Sequence, residues 1–486
     1  MMTLLFSIFA GCDEPAPPPP QPRRTVVVIS WDTTRADALS CYSDTNHWGA
    51  QVPAHLHPVP ATPVADQLAA GGVRFQWAFA SAPTTLSSHT TLFSGLDQYG
   101  HRVVRNGYPI PDDVPLLAEQ LQARDWQTLA VVGSSALESA MGLSRGFSTY
   151  DDPGPQPEGG MYMRSASDVT ARALAAVDAR TDRDADLFLF VHYYDPHTPW
   201  FTAPPELVRQ FLPPGYSGAV DGSMQSIAAL TEARRSGRML IDDVLAARAM
   251  YLAQVAWVDQ QTGVLIKGLS ERGLTDDALV VLLSDHGESL DEHERYPYSH
   301  GPDVDLMNVQ VPLILRGTGS LALTRGAVVE RPVRLQDVGS TLLELLEADA
   351  DPLGRGTFLG PLWVGQNLPP TPIFTEATKP IPGEATSAWN NLPFERSIIF
   401  GGGMLVKNPL AGEAAALYAM APGQPPVTNP ELATRLEFLL DGWTASSPAH
   451  RSVEMSGPTE AALRSLGYLE DEAPEEAAED AESPPE

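Results

Sequence analysis

The stretch Leu279-Val-Val-Leu-Leu-Ser-Asp-His-Gly-Glu288 decides the fold, because a continuous apolar run ends directly in an acid–histidine pair. Five apolar residues in a row are typical of a strand buried on both faces of a parallel sheet, and Gly287 allows a sharp turn at its end. Asp285 and His286 would then lie at the carboxyl end of a central strand. Open α/β sheets place their functional residues at this edge.

A second apolar strand ends in the same way. Thr25-Val-Val-Val-Ile-Ser-Trp31 is followed directly by Asp32. The carboxyl ends of parallel strands meet at one edge of a sheet, so Asp32 is expected near Asp285 and His286. Two buried strands that each bring a hard ligand to the same edge indicate a divalent metal site.

The composition is that of an acidic globular protein. At 486 residues and 43% hydrophobic content, the chain is long enough for one large domain and a smaller unit. Its net charge of −30 excludes nucleic acid as a partner, because phosphate binding needs a basic surface. Residues 470–486 contain nine acidic residues and no basic ones, which predicts a disordered, solvated tail.

The N-terminus resembles the leader of a bacterial lipoprotein. Residues 4–11 are a short apolar stretch that ends in small residues just before Cys12. We therefore expect residues 1–11 to be a signal peptide, Cys12 to carry a lipid, and residues 12–24 to form a Pro-rich spacer. This predicts a protein anchored to a membrane of the bacterial cell envelope; the alternative is a disordered, slightly apolar N-terminus.

Further along the chain, strands and helices alternate, which predicts a parallel sheet with helices on both faces. Residues 150–164 are rich in Gly and Pro, and residues 203–237 show little pattern, so both are expected to form loops or lids. The alternation fades after about residue 370. We therefore divide the chain into a large α/β domain, residues 25–369, and a C-terminal α+β subdomain, residues 370–469.

Several motifs occur in the order found in sulfatases of the alkaline phosphatase superfamily. They are Ile29-Ser-Trp-Asp-Thr-Thr-Arg-Ala-Asp37, Ala82-Pro-Thr-Thr-Leu-Ser-Ser-His89 continuing to Leu96, Asp195-Pro-His197, Ser284-Asp-His-Gly-Glu288, Ser299-His-Gly301, Val311-Pro-Leu-Ile314, Ala416-Leu-Tyr418 and Leu463-Arg-Ser-Leu-Gly-Tyr-Leu469. Each motif is weak alone, but the ordered set is specific. The resemblance implies a three-layer α/β/α fold with a mixed sheet and a smaller C-terminal α+β subdomain.

Carried over by position, the resemblance implies that Asp32, Thr85, Asp285 and His286 bind one or two divalent ions and that Thr85 is the nucleophile. Carboxylate oxygens with an imidazole suit Ca²⁺, Mn²⁺ or Zn²⁺, although the histidine disfavours a pure calcium cage. Thr85 also precedes a predicted helix, whose N-terminus would attract an anion. A metal would lower the pKa of the threonine hydroxyl and align it for attack.

Thr85 is also where the chain departs from typical sulfatases. Those enzymes carry a cysteine or serine at this position and oxidise it to formylglycine, whereas threonine gives no such aldehyde. A threonine nucleophile resembles instead the phosphodiesterase and phosphoethanolamine-transferase branches of the superfamily. Chemistry at phosphorus therefore gains weight over chemistry at sulfur.

Three histidines are candidates for supporting roles. His197 and His300 follow motifs at the same sheet edge and are expected to contact substrate oxygens or to transfer protons, although either could be a structural loop residue. His89 lies one helical turn after Thr85, where it could contact the developing negative charge or serve only in packing. His101 and the acidic residues from Glu288 to Glu294 are expected to be mostly solvated.

Taken together, the sequence predicts a metal-dependent hydrolase of sulfate or phosphate esters that forms a covalent Thr85 intermediate. The substrate would be a small molecule or a glycan or lipid ester. One alternative is a transferase of phosphoethanolamine or phosphoglycerol groups, although such enzymes usually carry several transmembrane helices and no internal stretch reaches the roughly 18 apolar residues required. The other is a degenerate sulfatase fold that only binds a glycan or a partner.

Overall fold

The computed structural model describes residues 23–42, 52–154, 163–293, 296–347, 352–378, 395–408, 414–420 and 426–447. Its strands are β1 Thr25–Trp31, β2 Val73–Phe75, β3 Ala78–Phe79, β4 Gln127–Val132, β5 Thr149–Asp151, β6 Leu187–Tyr193, β7 Ala278–Leu283, β8 Gln310–Val311, β9 Leu313–Gly317, β10 Ala327–Val329, β11 Val333–Arg334, β12 Ile373–Ala377, β13 Glu395–Phe400, β14 Gly403–Lys407 and β15 Ala416–Ala419.

The helices lie between and after these strands. They are α1 Pro63–Gly71, α2 Thr85–Ser94, α3 Gln98–His101, α4 Leu117–Gln122, α5 Ala166–Asp178, α6 Pro205–Phe211, α7 Met224–Arg235, α8 Ile241–Ser270, α9 Leu306–Val309, α10 Gln336–Leu346, α11 Gly360–Trp363 and α12 Pro430–Thr444. Within the described part of the chain, no helix has the length and apolar character needed to cross a membrane.

Strands β1 and β7, which precede Asp32 and Asp285, are neighbours at the centre of an eight-stranded sheet. Its order is β10-β2-β9-β7-β1-β6-β4-β5, and β1 pairs in parallel with both β7 and β6. Every residue of β1 and β7 is buried, as the continuous apolar runs predicted. The carboxyl ends of β1 and β7 therefore lie side by side, which brings Asp32 and Asp285 to one edge.

Helices cover both faces of the sheet, because successive side chains of a strand point in opposite directions. Val26 and Val28 pack into one apolar cluster with residues of α2 and α10. Val27 and Ile29 pack into a second cluster with residues of α5 and α8. The three-layer α/β/α architecture expected from the resemblance is present.

The sheet is mixed, as the resemblance implied, whereas the alternation of strands and helices by itself had indicated only a parallel sheet. Strand β9 runs antiparallel to both of its neighbours, β7 and β2. No crossover helix separates β7 from β9. The chain leaves β7 at Leu283, remains at the carboxyl edge, and re-enters the sheet at Leu313, which pairs with Leu283. This return forces the opposite strand direction.

The C-terminal part forms a separate small α+β unit, as predicted. Strands β12 to β15 make a four-stranded antiparallel sheet in sequence order. Helix α12 packs on this sheet through Leu436 and Leu440, which join Ile398 and Leu405 in one buried cluster. This unit packs against the loop that follows β7 in the main domain. Val304 and Met307 of the loop form one buried cluster with Ile399 and Met404 of the small sheet.

Some predicted segments differ from the structure. Residues 203–237 were expected to be mainly loop, yet they contain α6 and α7, whose apolar residues pack against α8. The leader, Cys12, the motif at 463–469 and the tail at 470–486 lie outside the described residues.

Candidate active site

Asp32, Asp285 and His286 come together at the carboxyl edge of β1 and β7. One donor atom from each lies within 4.8 Å of the others, and all three side chains are buried. His286 Nε2 is 3.5 Å from Asp285 Oδ2. The backbone N–H of Asp32 donates to the carbonyl of Tyr193 on β6, which fixes the end of β1 against its neighbour.

Two turns hold these residues in place after the strands end. Ser284 Oγ accepts a hydrogen bond from the Thr34 amide at 2.9 Å and donates to the His286 carbonyl at 2.6 Å. Gly287 is required by close approach, because a Cβ atom there would lie 1.9 Å from the Met307 carbonyl oxygen. The glycine of the opening motif therefore allows the returning chain to dock against the turn.

Thr85 is the first residue of α2, and its hydroxyl lies at the same edge. Thr85 Oγ1 is 3.5 Å from Asp32 Oδ2 and 3.5 Å from His286 Nε2. Asn106, which the sequence reasoning missed, accepts a hydrogen bond from the Leu86 amide at 2.7 Å and so fixes the first turn of this helix. The positive end of the helix dipole lies beside the hydroxyl.

The spacing of these atoms fits a shared cation. Ligands that bind one ion tetrahedrally at about 2.1 Å lie roughly 3.4 Å from one another. The Thr85–Asp32, Thr85–His286 and His286–Asp285 separations are each 3.5 Å. Hydrogen bonds between such groups are usually shorter, with a mode of about 2.8–3.0 Å. The residues present therefore fit the metal site that the motifs imply.

The charges at this edge point the same way. Neither Asp32 nor Asp285 forms an ion pair with a described Arg or Lys, and Asp32 Oδ1 and Asp285 Oδ2 have no hydrogen-bond partner among the described residues. Burial and the neighbouring Asp285 carboxylate raise the pKa of Asp32 well above its usual value. A bound cation would remove this repulsion and satisfy both oxygens.

His192 lies in this cluster, although the sequence analysis did not select it. Its Nε2 is 3.0 Å from Asp32 Oδ2, and burial lowers its pKa to about 4, so the neutral ring donates to the carboxylate. The signal was present in the sequence, because His192 belongs to the apolar strand that precedes the motif Asp195-Pro-His197. The hydrogen bond from His192 orients the Asp32 carboxylate.

His89 lies behind Thr85 in the same buried layer. Its Nδ1 donates to the Thr85 carbonyl at 2.7 Å, and its Nε2 accepts from Ser30 Oγ at 3.0 Å. Burial lowers the pKa of His89 to about 4, so the ring is neutral near pH 7. This geometry matches the packing alternative, in which His89 ties α2 to β1; its predicted catalytic role stays a prediction.

His197 and His300 meet at the other side of the site. Their ring centroids are 4.7 Å apart, and the His300 ring is 4.6 Å from that of His286. His300 Nδ1 lies 3.2 Å from both carboxylate oxygens of Glu288, which fixes the tautomer of the ring. His197 stacks on Tyr194 at 4.4 Å. His300 therefore lies beside the predicted metal ligand His286, and His197 lies beside His300.

The expectation of a solvated acidic loop after Glu288 is wrong for the residues that the structure describes. Glu288 and Asp291 are fully buried, and Glu292 is 6% exposed. Glu288 contacts His300, while Asp291 and Glu292 pair with Arg248. Runs of charged residues are usually exposed, but here Arg248 from a distant segment and His300 from the same loop pair with the carboxylates.

His101 is likewise buried rather than solvated. Its Nε2 is 2.9 Å from Thr91 Oγ1, and burial lowers its pKa to about 3. Two further buried polar groups support the surrounding scaffold. Arg35 pairs with Asp37 at 2.7 Å. Asp259 is buried, and it accepts hydrogen bonds from the amides of Val64 and Ala65 at the start of α1.

The chain belongs to the sulfatase family. The family's sequence profile, described as Sulfatase, matches residues 24–348, well over half of the 486 residues. The matched region contains β1, α2, β6 and β7, and therefore every residue placed at the site above. The resemblance drawn from the ordered motifs is confirmed.

Sequence relatives include sulfatases from distant organisms. The chain is 27% identical over 170 residues to iduronate 2-sulfatase of Homo sapiens, which covers 32% of this chain and 30% of that protein. It is 22% identical over 356 residues to an ulvan-active sulfatase of Formosa agariphila, which covers 68% of this chain and 62% of the relative. These matches span less than two thirds of either relative.

Solved structures share the fold. A protein in complex with its substrate D-glucosamine-2-N,6-O-disulfate has a TM-score of 0.64 at 18% identity, covering 87% of this chain and 98% of that one. A phosphonate monoester hydrolase of Agrobacterium radiobacter has a TM-score of 0.61 at 22% identity, covering 87% of this chain and 94% of that one. The predicted α/β fold with a small C-terminal unit is confirmed.

Proposed function

We propose that this protein is a metal-dependent hydrolase of phosphate, phosphonate or sulfate esters with Thr85 as its nucleophile. The observation that carries the proposal is the position of Thr85 Oγ1, which is 3.5 Å from both Asp32 Oδ2 and His286 Nε2 at a helix N-terminus. Family membership and the shared fold of a phosphonate monoester hydrolase support the same reaction class.

Asp32, Asp285 and His286 would hold the ion, and the 3.5 Å spacing supports one with bonds near 2.1 Å, such as Zn²⁺ or Mn²⁺. When bound, the ion would lower the pKa of the Thr85 hydroxyl and balance negative charge on the substrate. His192 would keep the Asp32 carboxylate oriented, and Asn106 would keep the first turn of α2 in place.

In the proposed reaction the Thr85 oxygen attacks the phosphorus or sulfur atom, and the bond to the leaving alcohol breaks. The hydroxyl proton of Thr85 passes to solvent, and the leaving oxygen takes a proton from His300, whose Nδ1 is held by Glu288. A water molecule then attacks the same atom and breaks its bond to the Thr85 oxygen, which releases the acid. One proton of this water restores the Thr85 hydroxyl, and His300 takes back a proton from solvent. The positive end of α2 stabilises the negative charge that develops.

The identity of residue 85 favours phosphorus over sulfur. Threonine does not give the formylglycine aldehyde through which typical sulfatases release sulfate. A threonine ester of phosphate is instead hydrolysed by attack of water at phosphorus. We therefore infer that phosphoric or phosphonic esters, attached to a small molecule, glycan or lipid, are cleaved faster than the matching sulfates.

The test compares Thr85 variants on matched nitrophenyl phosphate, phosphodiester, phosphonate and sulfate esters with Mn²⁺, Zn²⁺ or Ca²⁺. We expect Thr85→Ala to lower kcat/KM by at least about 10³-fold and Thr85→Ser to keep part of the activity. The matched control is Thr90→Ala on the same helix, because the Thr90 hydroxyl is bound to the Leu86 carbonyl. Unchanged cleavage by Thr85→Ala would remove the proposed nucleophile.

The same assay separates hydrolysis from group transfer. A hydrolase releases one equivalent of free acid for each nitrophenol in water alone, since water completes the second step. A transferase would release nitrophenol slowly until a sugar or alcohol acceptor is added, and the acid would then appear on that acceptor. A degenerate binding protein would release neither product.

We also propose that the protein is anchored in a bacterial cell envelope through Cys12. The proposal rests on the apolar stretch ending in small residues before Cys12 and on the Pro-rich segment after it. Cys12→Ala is expected to move the full-length protein from the membrane fraction to the soluble fraction, with Cys41→Ala as the matched control. Membrane association that survives Cys12→Ala would refute the anchor.

A further inference from the structure

A cleft of about 400 Å³ lies where α1 and α8 pack on the main sheet, at the start of β7. Its volume is within the range of about 300–1,000 Å³ that is usual for small-molecule sites. The cleft is separate from the Thr85 centre, because Val280 on its floor precedes Asp285 by roughly 17 Å of extended chain. Among the described residues, none of those placed at the Thr85 centre lines this cleft.

The floor of the cleft is one face of β7 and β9. Val280 is opposite Arg316 in the antiparallel register of these strands, so their side chains lie next to each other on the same face of the sheet. The next pair on this face toward the carboxyl edge, Leu282 with Ile314, is fully buried under the helices, whereas Val280 is 8% exposed. The helices therefore cover the carboxyl end of this face and leave a gap over its amino end.

Two helix faces form the walls of the cleft. The α8 wall consists of Gly263 and the residues three, four and seven positions after it, which lie on one face of a helix. The α1 wall consists of Val64 and the residues three and four positions after it. The two helices are in close contact where these walls begin, since a Cβ atom on Gly263 would lie 3.0 Å from Val64 Cγ2. From this contact the α8 wall extends about 10 Å, to Ser270.

The apolar surface of the cleft is aliphatic. Leu68, Ile266, Ala278 and Val280 line it together with Val64, and none of the described residues that line it is aromatic. A ligand that buries CH₂ groups against these side chains gains affinity through the hydrophobic effect. A ring would gain more beside aromatic partners, so this surface favours an aliphatic chain.

The charged residues that line the cleft are both cations, Arg316 and Lys267, in a protein whose net charge is −30. The Arg316 side chain passes the end of α1, where a Cβ atom on Gly71 would lie 3.0 Å from its Nε. Among the described residues, no Asp or Glu pairs with Arg316, and Lys267 is 3.8 Å from Glu271 in a pair that is exposed on both sides. Exposed pairs of this kind are weak, so the cleft presents positive charge to a ligand.

We propose that this cleft binds a small single-chain aliphatic anion. The chain would lie on Val280 and Ile266, between the walls formed by α1 and α8. The anionic head would be bound by the Arg316 guanidinium, which offers a fork of N–H donors, and Lys267 would add positive charge at the mouth. The apolar floor and the two cations thus match the two ends of one ligand. Binding here requires none of the residues of the Thr85 centre.

The experiment is a calorimetric titration of the full chain with sodium octanoate, in an Asp285→Asn background that disables the proposed metal centre. One octanoate is expected to bind with a dissociation constant below about 10⁻³ M. Hexanoate should bind about 16-fold more weakly, because each buried CH₂ contributes about fourfold in affinity. Adding Arg316→Met should weaken octanoate binding about tenfold or more, since Met keeps an aliphatic side chain but not the charged donor. Lys267→Met, at an exposed side chain, should cause a smaller loss.

Arg209→Met is the matched control, because Arg209 is exposed on α6 and does not line the cleft; it should leave octanoate binding unchanged. The neutral ligand 1-octanol should bind about tenfold or more weakly than octanoate, and Arg316→Met should not alter its affinity. Absence of octanoate binding would overturn the proposal, whether or not the variants fold. So would equal affinities for hexanoate and octanoate, or octanoate binding that survives Arg316→Met. Binding to anionic lipid vesicles but not to octanoate would assign this surface to a membrane instead.

Discussion

Asp291 and Glu292 follow Asp285 by only a few residues, yet these buried carboxylates have different partners. Asp291 and Glu292 are bound by Arg248 at 2.5 and 2.6 Å, and Glu292 also pairs with Arg35 at 2.7 Å. Asp285 and its neighbour Asp32 are just as buried, but the side chains that they contact are histidines and hydroxyls, and Asp285 Oδ1 also accepts hydrogen bonds from the amides of Thr33 and His286. Asp291 and Glu292 are balanced by guanidinium charges of the protein itself, whereas under the proposed function Asp285 and Asp32 would be balanced by a bound cation.

The pKa values of Glu292 and Asp32 are shifted in opposite directions. Burial alone would raise the pKa of Glu292, but Arg248 and Arg35 lower it to about 2. Burial and the Asp285 carboxylate raise the pKa of Asp32 well above its usual value, because His286 and the Thr85 hydroxyl oppose this rise only in part. A buried carboxylate is therefore informative only together with its partners. Guanidinium groups indicate a structural ion pair, and their absence beside a hydroxyl and an imidazole indicates a metal site.

The largest expected effect comes from replacing Asp285, one of the two carboxylates that lack a guanidinium partner. Asp285→Asn should lower kcat/KM for ester cleavage by at least about 10³-fold, because the ion and its effect on Thr85 are lost together. Elemental analysis should show fewer bound Zn²⁺ or Mn²⁺ ions per chain than in the wild type. Full activity with unchanged metal content would show that Asp285 and Asp32 are not ligands.

A large effect on stability is expected when Arg248, the partner of Asp291 and Glu292, is replaced. Arg248→Met should lower the free energy of unfolding by about 3–5 kcal/mol, because Asp291 and Glu292 remain buried with one guanidinium partner instead of two. Urea denaturation measures this change. Arg238→Met is the matched control; its side chain is 72% exposed and the pair it forms with Glu232 spans 3.8 Å, so the change should be small.

Arg248→Met is also expected to change the stability of the protein at acid pH. The pKa of Glu292 is lowered to about 2 in the folded protein, so its contribution is present above the unfolded value of 4.5 and is lost as the pH falls toward 2. Arg248→Met raises the folded pKa, and acid unfolding should then begin at a higher pH than in the wild type. Coincident acid transitions for the two proteins would contradict the ion-pair account.

A smaller effect on activity is expected at His192, which contacts Asp32 but is not a proposed metal ligand. His192→Ala should weaken metal affinity or kcat by about 10–100-fold, because Asp32 loses the donor that orients it. His192→Gln places an amide donor near the position of Nε2 and should recover part of the loss. Equal losses in both variants, or a change in stability with no change in metal affinity, would assign His192 to packing alone.

The strand ends show how much of the site could be read from the chain itself. Asp32 and Asp285-His286 were found because each follows a continuous apolar run, and the pattern needed no knowledge of distant residues. His192 was missed because it lies inside a strand rather than after it. Asn106 was missed because its neighbours carry no periodic pattern, and its contact with Leu86 exists only after α2 packs beside it.

The burial of charged residues was the least predictable feature. Glu288, Asp291 and Glu292 form an acidic run that is indistinguishable in composition from a solvated loop. Glu292 pairs with Arg35 and Arg248 from other segments, and Glu288 contacts His300 twelve residues further along the same loop, so local composition does not disclose these contacts. The direction of β9 has the same origin, because it follows from where the loop after β7 returns to the sheet.

The amino-acid sequence by itself determined the buried central strands, the side chains at their carboxyl ends, and the threonine that stands in place of an oxidisable cysteine. These features depend on local apolar runs and residue identities, which each segment carries on its own. Only the tertiary structure decided which carboxylates acquire an arginine and which are left for a metal. That choice depends on charges far apart along the chain, and their electrostatic energies are fixed only when folding removes them from water and sets the distances between them.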